Sequence, residues 1–166
     1  MMVRFSVPFV IAKGRPRVLR SGRTYTPKRT AEAEKAIRDA YKGACVRTFG
    51  HVVTAPENTK VMVVATFQTG APKSRPKWVP KILWDMGFVP FVTTPDVDNL
   101  IKCCMDALNP KVHRDKATKK TVVDEYVAWH DDSQVVEVHA YKLDRVRGGH
   151  DVTTVTVFWE DEERGE

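Results

Sequence analysis

Few cysteines and no long apolar segment occur in this sequence, and each absence excludes a class of protein. Its 166 residues include three cysteines, Cys45, Cys103 and Cys104, with no C-x-x-C pair. Because the adjacent Cys103 and Cys104 do not form a structural bridge, a disulfide-stapled secreted scaffold is excluded and a reducing, cytoplasmic setting is expected. The five histidines lack zinc-site spacing. No apolar run approaches about 18 residues, so no membrane association is expected.

Positive charge is in excess and is unevenly distributed. The chain has 27 Lys and Arg residues against 21 Asp and Glu, a net charge of +6 and a pI near 9.3. Such a balance suits a polyanionic partner. Residues 13–29 contain seven basic residues and no acid, whereas residues 160–166 form an acidic tail. We interpret the basic segment as an arm that grips phosphates, the alternative being a solvated loop. The candidate DNA-binding residues are Arg15, Arg17, Arg20, Arg23 and Lys28.

Apolar periodicity predicts the order β–α–β–α–β–β. The predicted elements are a strand over 3–11, a helix from a Thr26 cap to Val46, a strand over 60–68, a helix from Asp98, and strands over 135–143 and 152–159. The pair Gly148-Gly149 predicts a turn that makes the last two strands an antiparallel pair. The expected fold is α+β, an α/β sandwich with a mixed sheet of four to five strands and two helices packed on one face.

The length predicts one domain over 1–166 with three basic loops. These loops are 13–29, 70–93 and 110–121. In the second loop, basic residues surround Trp78 and Trp84, which suits a surface that stacks on nucleic acid; a packed Ω-loop explains it equally well.

Acidic side chains are concentrated between Thr94 and Asn109. This stretch contains Asp96, Asp98, Asn99, Lys102 and Asp106. Two carboxylates about 4 Å apart repel by roughly 4 kcal/mol at an effective dielectric of about 20. A divalent cation removes that cost, and magnesium prefers such oxygen ligands.

Helical spacing places the polar residues of this stretch beside a predicted core stripe. Asp98, Lys102 and Asp106 share one arc. The core stripe is Ile101, Cys104, Met105 and Leu108. The alternative is a solvated helix in which Asp98 is the N-cap and the i,i+4 charges pair with one another.

A second acidic segment, residues 129–134, precedes the strand at 135–143. Extended backbone alternates its faces, so Asp132 falls in phase with Gln134, Val136 and Val138, the apolar side, whereas Asp131 does not. We therefore expect Asp132 to be the distant partner of the first acidic stretch. The alternative is that both aspartates only turn the chain.

The motifs together resemble the RusA family of Holliday-junction resolvases, small bacterial and phage endonucleases. The segments that show this resemblance are Pro-Asp-Val-Asp-Asn-Leu-Ile-Lys at 95–102, Asp-Ala-Leu-Asn at 106–109 and Trp-His-Asp-Asp-Ser-Gln-Val at 129–135. Gly14-Arg15-Pro16-Arg17 and Tyr25-Thr26-Pro27 are similar to the phage branch, which fits a phage or prophage origin and a bacterial host cytoplasm. The resemblance covers residues 3–143, but the link 110–128 is longer than expected.

The resemblance implies an enzyme, a magnesium-dependent endodeoxyribonuclease, with manganese as a possible substitute cation. It implies that Asp96, Asp98 and Asp132 are catalytic and bind the metal, and that Lys102 is the catalytic lysine. Supporting roles are expected for Asn99, Asp106 and Gln134. The expected partner is branched DNA, cut at four-way junctions by a homodimer in recombination and repair. The alternatives are a metal-dependent nuclease on other branched DNA or RNA, and a non-catalytic DNA-binding protein.

Overall fold

The computed structural model describes residues 1–15, 17–18, 20–22 and 24–160. Within these residues the strands are β1 (Met2–Val7), β2 (Arg17–Val18), β3 (Thr24–Tyr25), β4 (Val61–Gln68), β5 (Phe88–Val89), β6 (Lys111–Arg114), β7 (Thr121–Glu125), β8 (Val135–Lys142), β9 (Arg145–Val146) and β10 (Val152–Trp159). The helices are α1 (Lys28–Phe49), α2 (Lys81–Asp85) and α3 (Val97–Leu108). The predicted α+β class is confirmed.

The principal sheet has four strands in the order β1-β10-β4-β8. β10 pairs antiparallel with β1 and with β4, and β8 pairs parallel with β4. The predicted antiparallel pair of β8 and β10 was therefore wrong, because β4 lies between them. The chain turns at Gly148 (φ 74°), but β9 first leaves the sheet to pair with β5, so β10 enters next to β4 instead.

One face of this sheet is buried against the two long helices. Alternate residues of β1, β4 and β10 are buried, which is the period-two pattern of a sheet covered on one side. Ile37 of α1 and Leu100 of α3 belong to the same core. Phe5 meets Tyr41 edge-to-face at 5.9 Å. In the described part of the chain, no helix combines the length and apolarity needed to cross a bilayer.

The ends of β1 and α1 differ in part from expectation. β1 ends at Val7, and the strand predicted to reach Ile11 stops because Pro8 cannot donate a ladder hydrogen bond. Pro27 is the N-cap residue of α1, and no side chain accepts a hydrogen bond there, so the predicted Thr26 cap was wrong. α1 runs to Phe49, three residues beyond the predicted end at Val46, and Gly50 follows it in the left-handed conformation (φ 78°).

Residues 70–93 form a packed segment against the β9 region. β5 pairs with β9, and the Arg147 guanidinium lies 5.0 Å from the Trp84 ring. Val79 and Val89 are buried, whereas Trp78 is exposed. Packing thus accounts for Val79 and Val89, whereas Trp78 and Phe88 are aromatic side chains of this segment that remain exposed to solvent.

Candidate active site

Helix α3 carries the first acidic stretch and is anchored in the core along one side. Its buried residues are Leu100, Cys103, Cys104, Ala107 and Leu108. Of the predicted stripe, Cys104 and Leu108 are buried, while Ile101 and Met105 are half-buried at its flank. The i, i+3, i+4, i+7 repeat that begins at Leu100 centres the stripe on Cys103 and Cys104, leaving the acidic residues to face outward.

Asp96 and Asp98 stand at the entrance of α3. Asp96 is the N-cap residue in extended conformation (φ −70°, ψ 147°), and its side chain caps no backbone N–H. Asp98 lies in the first turn, and both residues are exposed. The unpaired N–H groups at a helix start favour negative charge. The site therefore presents two adjacent carboxylates to solvent, and the N-cap is Asp96 rather than Asp98.

The segment that leads into Asp96 is held by two cations, Lys142 at the end of β8 and Arg145 of β9. Lys142 donates to the carbonyls of Thr93 (2.5 Å) and Pro95 (3.0 Å). Arg145 donates to the Thr93 hydroxyl (2.6 Å). Lys142 and Arg145 also lie 4.3 and 4.5 Å from the centre of the Phe91 ring. These contacts fix the backbone immediately before Asp96, and Lys142 thereby positions the acidic pair.

Replacing Lys142 should loosen this entrance without unfolding the protein. Lys142→Met removes both charge-assisted hydrogen bonds, and losing such a supporting contact costs about 10- to 100-fold in metal affinity or activity. If this entrance binds a divalent cation, as the resemblance to the nuclease family implies, half-maximal DNA cleavage should require correspondingly more magnesium, while DNA binding in EDTA stays unchanged.

Two variants make this prediction specific. Lys142→Arg should restore most of the magnesium response because it keeps a cationic donor. Tyr141→Phe, in the adjacent exposed position, should leave the response alone. Normal magnesium dependence in Lys142→Met would show that the entrance does not rely on Lys142.

A basic cavity lies along the outward side of α3. Its volume is about 370 Å³, and it is lined by Lys13, Gly14, Arg15, Asn99, Lys102 and Asp106. Lys13 donates its backbone N–H to the Asn99 carbonyl (2.8 Å) and forms an ion pair with Asp106. Asp106 therefore pairs with Lys13 and not with Lys102, the partner that helical spacing suggested. Lys102 is exposed at the mouth of the cavity.

The basic arm is rooted beside this cavity. The Gly14 N–H donates to the Thr30 hydroxyl of α1 (3.1 Å), and β2 pairs with β3 to make a short hairpin. The predicted DNA-binding residues Arg15, Arg17, Arg20 and Lys28 are exposed, and Arg23 lies outside the described residues. Lys28 also forms a long i,i+4 contact with Glu32 (3.7 Å). The arm thus displays cations next to the polar side of α3.

The second acidic segment is fixed to the other end of α3. Trp129 is fully buried, and its indole N–H donates to the Asn109 side chain (2.7 Å). The Ala128 N–H donates to the Leu108 carbonyl (3.1 Å). The chain then turns through a 3-10 helix, Asp132–Gln134, before β8.

Asp131 and Asp132 have different environments. The Asp131 carboxylate accepts from the Ser133 N–H (2.9 Å) and caps the 3-10 turn. Hydrogen bonds from Ser133, its side chain first and its N–H second, hold the pKa of Asp131 below its usual value. Asp131 is thus engaged in folding its own turn, and Asp132 presents its carboxylate on the exposed surface beside it.

The strand-parity argument for Asp132 was wrong in its physical basis. Asp132 belongs to the 3-10 turn, where side chains do not alternate between two faces. A register shift between Val61 and Met62 also interrupts the pairing of β4 with β8. Val136, placed on the apolar side by parity, is 61% exposed. The prediction that Asp132 binds the metal does not depend on that argument and stays a prediction.

Gln134 organises the loop around Asp132. Its side-chain oxygen accepts from the backbone N–H groups of His130 (2.8 Å) and Asp131 (3.2 Å). Its side-chain nitrogen donates to the carbonyls of Pro56 (2.7 Å) and Thr59 (3.2 Å). The predicted supporting role of Gln134 thus has a structural counterpart, because one amide ties the acidic turn to the segment before β4.

Truncating this amide should destabilise the fold. Gln134→Ala leaves four backbone groups without their partner, and we expect the free energy of unfolding to fall by about 2 kcal/mol, since some of these groups can reach water. Urea denaturation of the wild-type protein and the variant measures this loss in the free energy of unfolding.

Gln68→Ala serves as the control, because Gln68 makes one exposed bond to the Asp144 carbonyl. It should cost about 0.5 kcal/mol or less. Equal losses in the two variants would contradict the organising role of Gln134.

Asp96 and Asp98 both lie at the start of α3, whereas Asp132 lies near its opposite end. α3 has 12 residues and is therefore about 18 Å long. Lys142, at the last position of β8, donates to the Pro95 carbonyl just before α3, whereas Asp132 precedes the first residue of β8. The eight residues of β8 span about 25 Å. These lengths imply that Asp132 lies about 20 Å from the pair. Consistently, the described residues of one chain contain no group of three His, Cys, Asp or Glu side chains able to hold a metal ion.

Comparison with known proteins defines the class. Residues 8–157 match the model of the protein family described as endodeoxyribonuclease RusA. The chain is therefore of the nuclease class, a hydrolase acting on DNA. It belongs to the RusA family, and the resemblance predicted from its motifs is confirmed. No curated protein matches the sequence.

Sequence reasoning missed Lys13 and Lys142. Lys13 was counted only as part of a basic segment, and Lys142 only as a strand residue. Each contacts the acidic helix or its entrance from a distant position. The sequence signal for Lys142 was its position at the end of the predicted strand, in phase with the apolar side. A lysine there predicts a polar partner, since its charge is costly to bury alone.

Proposed function

We propose that the protein is a magnesium-dependent, structure-selective endodeoxyribonuclease that resolves four-way DNA junctions in recombination and repair. The observation that carries the proposal is the exposed carboxylate pair, Asp96 and Asp98, at the entrance of α3 in a chain of the RusA family. The donor set fits magnesium by its chemistry, because it consists of carboxylate oxygens. One chain, however, offers only two of the three proposed ligands at this place.

The proposed active unit is a homodimer in which each site is shared between two chains. A two-fold axis near the middle of α3 exchanges the ends of that helix. It would bring Asp132 of one chain toward Asp96 and Asp98 of the other. Within one chain, the separation of about 20 Å prevents these three carboxylates from meeting. Each dimer would then have two equal sites, as paired cleavage of a junction requires.

Each residue has a defined task in this proposal. Asp96, Asp98 and the second chain's carboxylate at position 132 hold the cation, for which manganese can substitute. A bound cation supplies Lewis-acid stabilisation of charge on the scissile phosphate and activates water. Lys102 stands one turn after Asp98 on the outward side of α3 and offers its ammonium group to the phosphate. Asn99 lines the same cavity, and Asp106 supports it by holding Lys13.

The basic arm supplies binding to the DNA backbone. Arg15 lines the cavity beside Lys102, and Arg17 and Arg20 extend from it in the exposed hairpin. Phosphate contacts of this kind position DNA but do not read its sequence. The arm would therefore orient a strand across the carboxylates.

A substrate panel tests the proposed function. Purified protein is incubated with four-way junction, fork, flap, linear duplex and RNA duplex at one salt concentration, with magnesium or with EDTA. The proposal predicts paired cuts in the junction, at a rate that exceeds the rates on the other substrates, and no cuts in EDTA. Equal rates on fork or flap would make it a general branched-DNA nuclease, and binding without cleavage would contradict the enzyme.

A further inference from the structure

A basic β-hairpin, β6–β7, projects from the end of α3 and has no part in the site described above. It occupies residues 111–125 and is exposed along almost its whole length. Its base is anchored, because Glu125 pairs with Lys42 of α1. After β7 the chain returns to the core at Val127 and then reaches the acidic turn. The hairpin is therefore an arm mounted on the segment that carries Asp132.

The acids of this hairpin are used in building it. Glu125 binds Lys42, and Asp124 accepts a hydrogen bond from His113 (2.6 Å). Asp115 accepts from the N–H (2.7 Å) and the hydroxyl (2.5 Å) of Thr118. These bonds hold the pKa of Asp115 below its usual value, chiefly through the Thr118 hydroxyl. Three carboxylates are thus committed within the fold.

The lysines of the hairpin have no comparable partners. Lys111, Lys116, Lys119 and Lys120 are exposed, and within the described part of the chain none of their ammonium groups pairs with a carboxylate. Backbone bonds between Asp115 and Lys120 (2.9 Å) and between Lys119 and Asp115 (3.0 Å) close the tip. Arg114 donates to the Lys119 carbonyl (3.1 Å) and braces it. A braced tip that displays unpaired cations is preorganised for a polyanion.

We propose that this hairpin grips the phosphate backbone of a duplex arm of the DNA substrate. A two-stranded ribbon fits the dimensions of a DNA groove, and its lysines would contact the flanking phosphates. The inference rests on the proposed function for its choice of DNA as partner. It adds a second contact surface, at the end of α3 opposite the entrance pair.

The test compares two charge-matched double variants. Lys116→Gln/Lys120→Gln neutralises the tip. Lys35→Gln/Lys81→Gln removes the same charge from exposed lysines that pair with Asp39 and Asp85. Binding to a four-way junction and to linear duplex is measured in EDTA over a range of salt concentrations. Each lost phosphate contact should lower the slope of log K against log salt by about 0.9.

The tip variant should lose about 1.8 in slope on both DNAs, and about 30-fold in affinity near 0.15 M salt. The control pair should retain the wild-type slope, and Lys116→Arg/Lys120→Arg should restore it. A tip variant that matches the control overturns the proposal. So does a tip variant that loses its dimeric state in sedimentation, since the hairpin would then be an interface between copies.

This outcome is separate from that of the proposed function. If the wild-type protein cuts no junction but the tip variant still loses salt dependence, the hairpin binds DNA and the assigned activity fails. If the wild-type protein cuts junctions and the tip variant binds normally, the activity stands and the hairpin proposal fails.

Discussion

Asp96→Asn and Asp98→Asn should each reduce junction cleavage by at least about a thousandfold, which corresponds to about 4 kcal/mol of lost transition-state stabilisation. Both substitutions keep the size of the side chain but remove the charge that would hold the cation. Because Asp96 makes no cap bond and both residues are exposed, the fold should tolerate either change. Single-turnover cleavage at saturating enzyme measures the loss.

Junction binding separates loss of chemistry from loss of substrate. Binding in EDTA should be preserved or tightened in both variants, since removing a negative charge reduces repulsion from DNA. Asp85→Asn, at an exposed aspartate of α2 paired with Lys81, is the control and should cleave normally. Full activity in Asp98→Asn would mean that the acidic entrance of α3 is a helix start and nothing more.

Two inactive variants should restore cleavage when combined in one heterodimer. If sites are shared, Asp98→Asn in one chain and Asp132→Asn in the other leave one site with both lesions and one site intact. A heterodimer purified through two different tags should therefore nick at about half the wild-type rate. It should not make the paired cut, because only one site works.

The matched control is the heterodimer of Asp96→Asn with Asp98→Asn. Both lesions lie at the same end of α3, so every shared site contains one of them and the heterodimer stays inactive. If the first heterodimer is also inactive, each chain builds its own site and the shared arrangement is wrong. A wild-type protein that sediments as a monomer would contradict it as well.

The features that were predicted correctly from the sequence are those that local patterns determine. The class of fold, the presence of α1 and the strand at β4 follow from periodicity and turn residues. The residues around Asp96, Asp98 and Lys102 resemble the RusA family, and the family match over residues 8–157 confirms that resemblance. Short-range rules were sufficient for these features.

Strand order depended on long-range pairing that no local pattern reveals. The turn at Gly148 suggested a hairpin of β8 and β10, but β4 lies between these strands. The parallel pairing of β4 with β8 is made through a long crossover that contains α3. Turn residues specify that the chain turns, not which neighbour the next strand meets.

In the candidate site, too, local patterns failed where the surrounding structure decides the position of a side chain. Parity could not place Asp132, because a 3-10 turn and a register shift both break the alternation of β8. Helical spacing suggested a Lys102–Asp106 pair, but Lys13 lies over α3 and takes Asp106. For Asp106, a tertiary contact therefore overrode a local i,i+4 preference of about a few tenths of a kcal/mol.

Binding of manganese tests most directly whether the carboxylates at 96, 98 and 132 hold one ion. Free manganese is followed by electron paramagnetic resonance during titration of the wild-type protein, Asp98→Asn and Asp132→Asn, each folded to the same extent. The account predicts that both variants lose the same tightly bound ion. Wild-type manganese binding in Asp132→Asn, together with its loss in Asp98→Asn, would contradict the shared site.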